Sequence, residues 1–171
     1  MWADRCSRAA IPAVDSPRAT QRPTGDRTTY WAASAHIADA PDLRIVRPGG
    51  TDLRFAGGGS YLRRWYGDGY RSIGFTVDHG AAVTGPGRTV ELTPPALGWF
   101  EAPLGAVPYA AFTLDLRSRP VPEPVRRWLH DPVVTRGLPD AGPASVMEGG
   151  TLFEWFDVLV HTRTVHPATF R

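Results

Sequence analysis

Glycine and proline break this chain into short pieces. Of 171 residues, 18 are glycine and 17 are proline, which implies many short elements joined by many turns. The pieces read alternately as strands and short helices. Right-handed crossovers between such pieces imply strands that run largely parallel. The expected architecture is α/β: a partial, mostly parallel sheet with short helices. Helices this few and short cannot cover both faces of such a sheet. The chain therefore reads as part of a larger architecture, with residues 1–27 as a poorly ordered leader and residues 28–171 as the folded part.

Residues 28–41, TTYWAASAHIADAP, organise the rest. Residues 28–31 are β-branched and aromatic, as a buried strand would be. Small residues follow and end at His36, which puts that imidazole near a carboxyl edge of the sheet, where ligands of open α/β sheets bind. The alternative is a core or loop histidine satisfied by a backbone carbonyl. Residues 39–51 read as a loop with an apolar patch at Leu43, Ile45 and Val46. The Gly57–Gly58–Gly59 run closes a turn into a short helix that Ser60 caps.

Further on, residues 70–77 form a strand with Ile73, Phe75 and Val77 on its buried face, and Asp78, His79 and Gly80 turn the chain. A turn at Gly85–Pro86–Gly87 precedes a short strand over 89–92, and residues 99–104 suit one helical turn. Residues 109–116, YAAFTLDL, read as a central strand. Residues 122–129 suit a helix with Val125, Trp128 and Leu129 facing inward. Thr151 and Glu154 have capping-box spacing. Residues 157–165, DVLVHTRTV, are the last strand.

Charge and cysteine usage exclude several classes. All 19 basic residues are arginine, yet the net charge is only +2, and acidic residues lie between the arginines along the chain. Without a basic cluster, nucleic acid is not an expected partner. The single cysteine, Cys6, gives neither a disulfide framework nor a zinc pattern. No apolar run is long enough for a bilayer and no secretory leader is visible, so no membrane partner and a cytoplasmic setting are expected.

Generic motifs give no chemistry. The GGGS run lacks the lysine and spacing of a phosphate-binding loop, Gly67–Asp68–Gly69 ends a helix, and no G-x-S-x-G elbow is present. His36 and Asp39 are two candidate ligands, which do not make a metal site. No cofactor is implied. His79 and His130 read as surface residues, and His161 and His166 as structural ones.

The order of elements does point to a family. WAASAHIA (31–38), GGGSYLRRWYGDGYRSIGFTVDHG (57–80), FTLDLRS (112–118), RRWL (126–129) and FDVLVHTRTVHPA (156–168) together resemble the C-terminal half of the erythromycin esterase family. The resemblance implies a metal-independent hydrolase that opens macrolide lactones with histidine-activated water and is linked to antibiotic resistance. The second histidine of the family's W-A-H-N-x-H pattern falls on His36, which inherits a catalytic role, with Tyr30, Trp31 and Ser34 lining the substrate cleft. The first histidine falls on Ala33 and the asparagine on Ser34. The family's N-terminal half, which carries another glutamate and histidine group, has no counterpart here. The expectation is a chain weak or inactive alone, acting on a small-molecule ester or macrolide-like substrate. The alternatives are a non-catalytic relic or partner-binding half-domain, self-associating through an exposed half-interface, and a small domain with a ligand of its own.

Overall fold

The computed structural model describes residues 27–84, 87–117 and 120–167. All of the expected leader but Arg27 lies outside them, as does most of the turn at 85–87.

Among the described residues two four-stranded sheets make up the fold. The first runs in the order β2-β1-β7-β6, from β1 (Leu43–Val46), β2 (Leu53–Phe55), β6 (Pro132–Arg136) and β7 (Val146–Thr151). The second runs β4-β3-β8-β5, from β3 (Ile73–Thr84), β4 (Arg88–Leu92), β5 (Ala111–Asp115) and β8 (Val158–Val165). Among the described residues five short α-helices join them: α1 (Ser34–Ile37), α2 (Gly58–Tyr66), α3 (Ala102–Gly105), α4 (Glu123–His130) and α5 (Leu152–Trp155).

The sheets are mostly antiparallel, which corrects the parallel expectation. Among the described residues only β3 and β8 pair in parallel; β1–β2, β1–β7, β6–β7, β3–β4 and β5–β8 are antiparallel. For three of the five antiparallel pairs the connections explain this. A parallel neighbour needs a crossover of a dozen or so residues, whereas β1 and β2, β3 and β4, and β6 and β7 are each joined by less chain than that.

Several local expectations change with the topology. Residues 28–31 form no strand, and the apolar patch at Leu43 and Ile45 is a strand whose alternate side chains are buried. The segment after Gly80 continues β3, so Asp78, His79 and Gly80 make no turn. β5 is an edge strand. Val125 is exposed on α4, while Leu129 is buried. Ser60 lies inside α2, whose N-cap is Gly57 and whose end is Gly67 at φ +52°. The inward face of β3 is also reversed. Gly74 faces the ring of Phe156, so Ile73 and Phe75 turn outward and are exposed.

The core draws on both sheets and the helices between them. Leu43, Ile45, Leu53 and Phe55 come from the first hairpin, Val133 from β6, Leu129 from α4, Leu152 and Trp155 from α5, and Leu159 from β8. α5 begins with the expected capping box: Thr151 Oγ1 accepts from the Glu154 N–H and Glu154 Oε2 accepts from the Thr151 N–H.

Candidate functional site

The candidate site forms where α1 meets β3. β4 pairs only with the far end of β3, Gly80 to Thr84, so the near end keeps an open edge. Ser34 fills part of it: its hydroxyl donates to the Phe75 carbonyl and accepts from the Phe75 N–H, both at 3.3 Å. This docking is at the amino-terminal part of the β3–β8 pair, not at the carboxyl edge that was expected. Other bonds pin the turn. The Ile37 carbonyl accepts from Tyr70 Oη at 2.5 Å and Ser72 Oγ at 2.9 Å, and the Asp39 N–H donates to the Trp155 carbonyl at 3.1 Å. Gly59 makes this fit possible, because a Cβ there would stand 2.0 Å from the Ile37 oxygen.

The four residues singled out from sequence lie close in the chain but do different things. Ser34 lines a cavity of about 160 Å³. His36 is half-buried with its ring centroid 6.4 Å from that of Phe55, and it is not among the residues lining that cavity. Burial holds its imidazole below the ordinary histidine value, so at neutral pH the ring is uncharged and able to accept a proton. Trp31 is 79% exposed and packs on Phe75 at 5.4 Å between ring centroids. Tyr30 is half-buried against the core.

The cavity lies at the junction of the two sheets. Thr76 and Val77 of β3 meet Thr135 and Arg136 of β6, with Phe100, Glu101, Met147, Trp155 and Phe156 completing the wall. Glu101 is 4% exposed and takes a hydrogen bond from Thr135 Oγ1 on Oε1, while its buried Oε2 has no hydrogen-bond partner. Burial pushes this carboxyl up to about 7, against the pull of the Thr135 hydrogen bond and the Arg136 charge. Thr76 Oγ1 bonds His161 Nδ1 at 3.0 Å, so the buried histidine of β8 backs the cavity wall. A carboxyl that titrates near neutrality can donate or accept a proton at working pH.

The sequence reading missed Glu101, Thr76, Thr135 and Arg136. The signal for Glu101 was a single acid inside the apolar run LGWFEAPLGAV. A second polar line-up sits on the strands beyond. His79 bonds Asp78 Oδ2 through Nδ1 at 2.7 Å and Thr164 Oγ1 through Nε2 at 3.1 Å, with His79 and Thr164 facing each other across the parallel pair. Among the described residues no group of three metal-ligating side chains converges, and no helix is long and apolar enough to cross a membrane.

Residues 14–165 match the erythromycin esterase family. The chain belongs to that family. The match begins inside the stretch expected to be a leader. Similar folds appear in a Bacillus cereus protein of solved structure, 22% identical with a TM-score of 0.72 over 99% of this chain and 41% of that one. A succinoglycan biosynthesis protein is 24% identical with a TM-score of 0.69, over 92% of this chain and 38% of its own. A mutant of the erythromycin esterase EreC in its open conformation is 15% identical, TM-score 0.55, over 88% of this chain and 35% of its own. This family member thus spans about two fifths of the length of the solved structures it matches. No curated protein matches it in sequence.

Proposed function

We propose that this member of the erythromycin esterase family is an esterase-like hydrolase acting on carboxylic ester bonds, with macrolide lactones as the first substrates to examine. Resistance to such antibiotics in the cytoplasm is the corresponding biological role. The family match over residues 14–165 carries the reading. In it His36 is the base that takes a proton from the attacking water. Two observations support that role: the imidazole is kept neutral by burial, and the turn that holds it is tied to Trp155, Tyr70 and Ser72 through backbone oxygens and nitrogens. Tyr30, Trp31 and Ser34 are its substrate-side neighbours. Because the chain spans about two fifths of its structural relatives, turnover by this chain alone is expected to be slow.

The test is acid release from a macrolide lactone and from a simple aryl ester, comparing the chain with His36→Asn. Slow release above buffer that the variant loses supports the reading. Release that His36→Asn retains in full overturns the role of His36.

A second reading, a non-catalytic partner-binding module, is favoured by one observation. Trp31, Ile73, Phe75 and Tyr109 are exposed large apolar side chains, and Trp31 and Phe75 pack together on the surface. Such a patch drives association. Acid release no faster than buffer, together with a dimer in light scattering, supports this module over the enzyme.

A further inference from the structure

Glu101 lines the cavity behind Ser34, and one oxygen of its buried carboxyl is left without a partner. Glu101 Oε2 is buried and without a hydrogen-bond partner, although Oε1 of the same carboxyl accepts from Thr135. Buried polar groups are nearly always paired, so an exception needs a reason. The other polar groups of the wall are already engaged. Thr76 Oγ1 is taken up by His161, and Ser34 Oγ by the backbone of Phe75. Arg136 Nη2 points away, donating to the Asp78 carbonyl at 3.1 Å and the Thr93 carbonyl at 2.7 Å.

Much of the cavity wall beside Glu101 is aromatic. Phe75, Phe100, Trp155 and Phe156 line the cavity with Met147, and half-exposed Phe75 marks its open side. Its volume of about 160 Å³ is close to that of the apolar cavity of about 150 Å³ that admits benzene. Sites for drug-sized ligands are about 300–1,000 Å³, so a macrocycle is too large to enter.

We propose that this cavity binds a small cyclic alcohol or phenol, its ring against the aromatic wall and its hydroxyl on Glu101 Oε2. The hydroxyl follows from the bond at the other oxygen. With Oε1 accepting from Thr135, Oε2 either carries the proton of a neutral carboxyl and donates, or belongs to a carboxylate and accepts. A hydroxyl satisfies both states. A carbonyl satisfies only the first, and an ammonium only the second while standing near the positive charge of Arg136. The proposal does not require the ester-hydrolase reading, which rests on His36, although Ser34 borders both.

Phenol and toluene, alike in size and differing in the hydroxyl, are the probes. Methionine occurs at positions 1 and 147 alone, so the Met147 methyl reports on the cavity wall in an NMR titration. Phenol should shift that signal saturably with a Kd about tenfold below that of toluene, a difference of about 1.4 kcal/mol. Glu101→Gln should keep most of the preference and Glu101→Leu should remove it. Absence of a saturable shift with phenol, or equal affinities for the two probes in the unaltered protein, overturns the proposal. That comparison needs no variant, so it decides the matter even where Glu101→Leu does not fold.

Discussion

Arg63 and Asp157, 94 positions apart, meet at 2.6 Å across the join between α2 and β8. Asp157 is 2% exposed and accepts from two further donors, the Ser72 N–H at 2.8 Å and Arg117 Nε at 2.9 Å, with Arg71 as an ion-pair partner at 3.5 Å. One carboxylate thus ties together α2, the entry to β3, the exit from β5 and the start of β8. Burial alone would raise its pKa, but the Ser72 and Arg63 hydrogen bonds outweigh burial and hold it below the ordinary value.

Replacing that carboxylate takes a shared partner from three guanidinium groups, of which Arg63 is the most buried and keeps Asp39 at 3.4 Å. Asp157→Asn is expected to cost about 3–5 kcal/mol, the range for breaking a buried ion pair, read as a drop in urea midpoint. Arg71→Ala, on the exposed partner, should cost under about 1 kcal/mol. Because the folded pKa of Asp157 is depressed, its stabilising effect is full above the ordinary carboxylate range and is lost as pH falls through the folded value. Equal costs for the two variants would show that the network is not centred on Asp157.

How much of this was legible depended on the range of the interaction. The capping box at Thr151 and Glu154, the helix before Gly67 and the strand at 157–165 are local patterns, and the structure places elements there. The parallel sheet failed because strand direction is set by pairing between distant segments. β7 lies beside β1, a neighbour about a hundred residues away, and nothing in either stretch names the other. The face of β3 failed for a related reason. Ile73 and Phe75 alternate as buried residues would, but the Phe156 ring occupies the space over Gly74, and only the fold reveals that. Glu101 was invisible as a site because its partner Thr135 comes from another strand.

The same glutamate makes stability depend on pH in a defined direction. Its carboxyl keeps a proton to about 7 in the folded chain against an ordinary value of 4.5. Rising pH therefore favours the unfolded state between those values, and the effect is complete above the upper one. Glu101→Gln cannot ionise, while the Arg136 charge beside it is present in both proteins. The variant should match the parent near pH 4.5 and exceed it at pH 8 by up to about 3 kcal/mol. Urea unfolding at the two pH values checks this, and a pH-independent difference would contradict it.

Among the four-residue helices described, α5 is the one with a side-chain cap. α5 has four residues, and its first turn is closed by reciprocal bonds between Thr151 and Glu154, while the indole of Trp155 donates to the Gly149 carbonyl at 2.7 Å. Thr151→Ala should cost about 1 kcal/mol and Thr151→Ser very little. Thermal unfolding of the pair reads the difference. Equal loss in both would place the effect in the methyl group instead of the hydroxyl.

Gly59 links helix packing to the turn that carries His36. It lies in the first turn of α2 with an ordinary helical backbone, so an added methyl gains about 1 kcal/mol of helix propensity. Against this, the new Cβ would stand 2.0 Å from the Ile37 oxygen and 2.5 Å from the Ala38 oxygen, both backbone atoms with no rotamer to escape into. Overpacking of this kind costs about 1–3 kcal/mol, so the clash wins and α1 must lift away from α2. His36 sits on α1, and burial is what holds its imidazole below the ordinary value. Lifting the turn relieves that burial, so in Gly59→Ala the His36 pKa should rise toward the ordinary histidine value as the protein loses stability. An NMR titration of the imidazole C–H signals measures it. A less stable variant in which His36 titrates unchanged would show that α1 is held by its bonds to Tyr70, Ser72 and Trp155 and not by the close approach at Gly59.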